Sequence, residues 1–119
     1  MSEKEENKDG APRFRNRPIE VSLYENEEDV GFDPVFEGQT SSISREGVGV
    51  RVNPRRGYKN VSPRELKGQE FILQFHTGSR NVPNARGICT MVGESEDLRY
   101  KIYMGFEFEE ELSLLELVT

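Results

Sequence analysis

Three arginines at alternate positions, Arg13, Arg15 and Arg17, precede the apolar stretch Pro18-Ile-Glu-Val-Ser-Leu-Tyr24, and the hydroxyl-rich stretch Ser42-Ile-Ser44-Arg-Glu-Gly47 leads into a second one. A guanidinium is planar, permanently charged and carries a fork of N–H donors that matches phosphate oxygens and the O6 and N7 edge of guanine. Serine hydroxyls both donate and accept. A glycine lets the backbone approach a ligand closely and present its amide. These residue types suit holding phosphates and guanine edges, with no bond made or broken. In a chain whose net charge is −6, such a concentration of positive charge needs a reason.

The residues that would carry catalysis are scarce. The single histidine, His76, has no second histidine and no clustered cysteine to share a metal, so a structural zinc site is excluded on ligand count. The single cysteine, Cys89, sits in an apolar strand pattern and reads as a small buried hydrophobe. It excludes an intramolecular disulfide framework and suits a reducing, cytoplasmic setting. No carboxylates pair at an informative spacing, and Glu109, Glu110 and Glu111 read as the acidic start of a helix. The expectation is a protein that is not an enzyme and holds no metal or cofactor.

Charge is uneven along the chain. Arg45, Arg51, Arg55, Arg56, Lys59, Arg64 and Lys67 face only Glu46 and Glu65 in the same interval, while both ends are acidic. A nucleic-acid binder spreads positive charge over a whole face. A confined basic zone in an acidic chain fits a small anionic ligand better, although Arg55, Arg56 and Lys59 also read as an ordinary solvated loop. No apolar run reaches the length of a membrane span, and Met1-Ser-Glu-Lys-Glu-Glu lacks the apolar stretch of a signal peptide.

The elements that must position these residues are mostly short strands. Residues 1–12 show no apolar periodicity and are expected to be a disordered tail. Ile19, Val21 and Leu23 alternate as a half-buried strand, and Glu25 to Pro34 is an acidic loop. A weaker strand follows over 35–43, then one through Val48, Val50 and Val52. Ser62-Pro63 with Glu65 reads as a helix start that Gly68 stops. Phe71, Leu73 and Phe75 mark a strand over 69–76, and 86–92 marks another, closed by a turn at 93–97. Tyr100, Ile102, Met104, Phe106 and Phe108 alternate without a fault, so the aromatics belong to the core. Residues 109–118 read as a short helix with an apolar face. The fold class expected is mainly β: one domain over 13–119, a small six-stranded antiparallel β-barrel with a short C-terminal helix.

On this strand pattern, Arg13 and Arg17 followed by Ser44 and Gly47 resemble the paired motifs of the PilZ domain family, which binds cyclic di-GMP. Lys67-Gly-Gln-Glu-Phe-Ile-Leu-Gln-Phe75 and Tyr103-Met-Gly-Phe-Glu-Phe108 are similar to the family's later strands. The resemblance covers about residues 13–108. It implies a cyclic di-GMP receptor or adaptor that controls motility, pili or exopolysaccharide through a protein partner, without membrane insertion. It also implies a ligand site of Arg13, Arg17, Ser42, Ser44 and Gly47, with Arg15 as a further contact.

One departure stands out. The family has Asp or Asn where this chain has Ser42, and a single hydroxyl does not reproduce a carboxylate's two-point contact with guanine. The expected loss is on the order of one to a few kcal/mol, about tenfold or more in affinity. Two other readings remain open on the sequence. One is a PilZ-like adaptor that no longer binds the nucleotide. The other is a small barrel that binds single-stranded nucleic acid, against which the acidic total charge counts.

Overall fold

Strands form where apolar residues recur at every second position, because one face of a strand in a closed sheet meets the core and the other does not. The computed structural model describes residues 4–6, 12–14, 18–55, 57–77 and 84–110. Its strands are β1 (Lys4–Glu6), β2 (Pro12–Phe14), β3 (Glu20–Tyr24), β4 (Phe36–Ile43), β5 (Gly47–Pro54), β6 (Glu70–His76), β7 (Ala85–Glu94) and β8 (Ile102–Phe108). One short helix, α1 (Pro63–Leu66), connects β5 to β6.

Strands β3 to β8 form a closed antiparallel barrel in the order β4-β3-β6-β7-β8-β5, with β5 pairing back onto β4. This is the expected six-stranded barrel. Inside it lie Val21 and Leu23 of β3, Val48, Val50 and Val52 of β5, and Phe71, Leu73 and Phe75 of β6. Cys89 is buried in the same core, with Met104, Phe106 and Phe108. Phe71 meets Phe36 and Phe106 edge-to-face, each at 5.9 Å between ring centres, a geometry that suits the ring quadrupoles.

The structure departs from the sequence reading in several places. β7 continues to Glu94, past the turn expected at Gly93. Tyr100 does not extend the apolar face of β8; it belongs to the preceding turn, where its N–H donates to the Asp97 carbonyl at 3.0 Å. That turn is held from outside, since the Asn53 amide donates to the Arg99 carbonyl and accepts from the Lys101 N–H, both at 2.9 Å. Ser62 precedes α1, but its hydroxyl makes no capping bond, and Gly68, with φ of +90°, ends the turn.

Of residues 1–12, Lys4–Glu6 and Pro12 belong to strands, with Lys4 opposite Phe14 and Glu6 opposite Pro12, and the others lie outside the described residues. Glu109 and Glu110 form a bend after β8, and the rest of the helix expected at 109–118 also lies outside them. Among the described residues no helix is long and apolar enough to cross a membrane.

Candidate functional site

The hairpin between β4 and β5 carries Ser42, Ser44 and Gly47. Ser44 is buried, and its hydroxyl is turned into its own loop, where it accepts from the N–H of Gly47 at 3.2 Å and of Glu46 at 3.3 Å. The Ser44 N–H donates to the Gly47 carbonyl at 2.9 Å, closing the turn. Gly47 stands opposite Glu107 on β8, and a Cβ there would overlap the Phe106 carbonyl oxygen. In this structure the Ser-x-x-Gly spacing therefore builds the turn: the hydroxyl replaces water on two amides, and the glycine admits a neighbouring backbone.

Ser42 owes its direction to a β-bulge. Phe36, Gly38 and Thr40 alternate onto the inner side of β4, and simple alternation would carry Ser42 inward as well. A register shift between Thr40 and Ser42 reverses the parity, so that Ile43 is buried and Ser42 stands opposite Gly49 on the outer face. Gly49 in turn pairs with Gly105 of β8. The outer surface beside Ser42 is thus a floor of small residues, over which the Tyr103 side chain lies so closely that a Cβ at Gly49 would overlap its hydroxyl. Sequence reading did not assign Gly49, Tyr103 or Gly105 to the site. Their signal, a glycine at an outward position of each of two strands, becomes meaningful only once the strands are paired.

The arginine segment is anchored at both ends. Phe14 of β2 pairs with Ile43, so the strand that contains Arg13 lies along the same edge of β4 as β3. At the other end, the buried Thr40 takes hold of Ile19: its hydroxyl accepts from the Ile19 N–H at 2.9 Å, and its own N–H donates to the Ile19 carbonyl at 2.8 Å. Thr40 was not among the residues expected from sequence. Arg13 is placed by its backbone, opposite Glu5, while Arg15 and Arg17 lie outside the described residues.

The remaining candidates have ordinary surroundings. Arg55 pairs with Glu37 at 3.1 Å on the surface, as a solvated loop residue does. His76 Nε2 and Ser22 Oγ are 2.9 Å apart. Burial, above all, pushes the Cys89 thiol pKa up, which favours the unreactive protonated form. Among the described residues no group of His, Cys, Asp or Glu gathers as metal ligands would.

The class of protein this defines is a small closed antiparallel β-barrel with an apolar core. The solved structure of Bacillus subtilis Inhibitor of motility (MotI/DgrA) is similar to it, with a TM-score of 0.55 at 13% sequence identity, over 89% of this chain and 44% of that one. This chain therefore spans less than half the length of that structure, and the likeness is one of fold. No protein-family model and no curated protein matches the chain.

Proposed function

We propose that this chain is a cyclic di-GMP-binding, PilZ-like adaptor, without enzymatic activity, that works in the cytoplasm through a protein partner. The observation that carries the reading is the pairing of Phe14 with Ile43, which sets the backbone of Arg13 beside the strand of Ser42 and Ser44. In this reading Arg13, Arg17 and Arg15 supply guanidinium forks for the phosphates and the guanine edge, and Ser42 offers its hydroxyl to a base. Ligand contacts to the arginine segment, whose neighbours Phe14 and Ile19 are tied to β4, alter the surface that the partner reads. Among motility, pili and exopolysaccharide, the fold likeness to an inhibitor of motility favours motility as the output.

A second reading, an adaptor that does not bind the nucleotide, is favoured by one observation: Ser44 and Gly47 are accounted for by the turn they build. Titration calorimetry with cyclic di-GMP separates the two. Saturable heat that disappears in Arg17→Ala is the expected result. The absence of heat at high micromolar nucleotide leaves the second reading.

A further inference from the structure

We propose that the groove on the outer face of β3, β4 and β6 is a docking surface for an arginine-bearing basic segment of a protein partner. This deepens the adaptor reading but does not depend on nucleotide binding. The groove has a volume of about 690 Å³, and its floor is formed by outward residues of three adjacent strands, among them Glu20, Gln39, Gln74 and His76. Phe32 and Tyr100 line it from the loops above.

The floor is rigid and polar. Ser22 and Tyr24 are buried although they point away from the core, and each is tied to β6: Ser22 to His76 at 2.9 Å, and Tyr24 through its hydroxyl, which donates to Gln74 Oε1 at 2.8 Å. Preorganised side chains lose little entropy when a ligand arrives. Glu20 and Gln39 make no side-chain hydrogen bond or ion pair among the described residues, so a carboxylate and an amide are left facing the groove. Phe32 is 86% exposed, held out on a loop turned by Gly31 with φ of +88°. Leu98, on the loop that carries Tyr100, is fully exposed.

Charge decides the occupant. The loop that supplies Phe32 also carries Glu28, Asp29 and Asp33, and the floor carries Glu20. Glu37, also in the lining, is neutralised by Arg55, and Asp97 by Arg99, while Arg51 stands beyond Gln39 on β5; the acidic residues are thus concentrated at Glu20 and on the Phe32 loop. Such a surface repels phosphates and anionic membranes and attracts cations. A carboxylate beside amide acceptors, under an exposed aromatic ring, fits a guanidinium better than an ammonium. The planar fork bonds Glu20 with two N–H groups while its face stacks on Phe32; the Tyr100 ring already carries the Arg99 guanidinium, 5.6 Å from its centre. The exposed apolar residues at the rims suit leucine-type neighbours of that arginine.

The test is fluorescence anisotropy, without nucleotide, using a short dye-labelled peptide of alternating arginine and leucine. Lysine and glutamate versions of the peptide serve as comparisons. Saturable binding is expected for the arginine peptide, weaker binding for lysine and none for glutamate. Glu20→Gln should weaken the arginine peptide about tenfold, and Phe32→Ala about threefold. Both side chains are exposed, so the variants should keep the wild-type circular dichroism spectrum. Glu65→Gln, on α1, should leave binding unchanged. Binding that is absent, equal in Glu20→Gln and wild type, or weakened as much by Glu65→Gln overturns the docking surface. Calorimetry with cyclic di-GMP on the same preparation keeps the two ideas apart, because neither result depends on the other.

Discussion

Phe14 stands opposite Ile43, one residue from Ser42 on one side and one from Ser44 on the other. Two stretches far apart in sequence are thereby joined through backbone, on the edge of β4 beyond the end of β3. Thr40 fixes the same chain again at Ile19, so the arginine segment runs between two defined points on one strand.

Gly47→Ala tests the turn's tightness. The added methyl overlaps the Phe106 carbonyl oxygen, and that backbone is itself paired within the barrel. A loss of about 2–3 kcal/mol is expected in urea denaturation, typical of overpacking against rigid neighbours. A change within about 0.5 kcal/mol, the range of ordinary surface substitutions, would show that the hairpin can relax.

Ser44→Ala removes the hydroxyl that accepts from two amides in a buried turn. The expected cost is about 1–3 kcal/mol, since the amides then lack their acceptor. Stability and nucleotide affinity should be measured together. A variant as stable as wild type but deficient in nucleotide binding would return Ser44 to a direct ligand role.

Ser42→Asp gives the outer face beside Gly49 a carboxylate. If the nucleotide reading is correct, calorimetry should show about a tenfold gain in cyclic di-GMP affinity, from the second acceptor offered to guanine. An unchanged or lower affinity would argue that the base does not reach Ser42.

The turn before β8 has a pH signature. The Arg99 guanidinium bonds the Asp97 carboxylate at 2.8 and 3.2 Å and, with the Arg99 backbone N–H at 2.9 Å, lowers its pKa to about 2. A depressed carboxyl pKa stabilises the fold above its unfolded value of about 4 and loses that contribution as pH falls towards 2. Arg99→Ala should raise the Asp97 midpoint in a carboxyl NMR titration, but not all the way to about 4, because the backbone N–H of residue 99 still bonds the carboxylate and Arg51 still favours its charge. A titration midpoint that stays near 2 would mean that other groups hold the charge.

The alternation of Val48, Val50 and Val52, of Phe71, Leu73 and Phe75, and of Met104, Phe106 and Phe108 was enough to determine the strands, their buried faces and the closed barrel class. So was the burial of Cys89, because side-chain period and apolar content are local properties. What required tertiary structure was everything that depends on pairing. The bulge that turns Ser42 outward exists only relative to β5, and alternation alone assigns Ser42 to the wrong face. Tyr100 leaves the β8 pattern because Asn53, far away in sequence, holds the adjoining turn. Which amides Ser44 accepts from, and which neighbouring backbone Gly47 admits, likewise follow from the pairing of β4, β5 and β8. The docking groove depends on three strands and two loops meeting on one surface. Hydrogen-bond register across a sheet is set by which strands become neighbours, and no local periodicity encodes that.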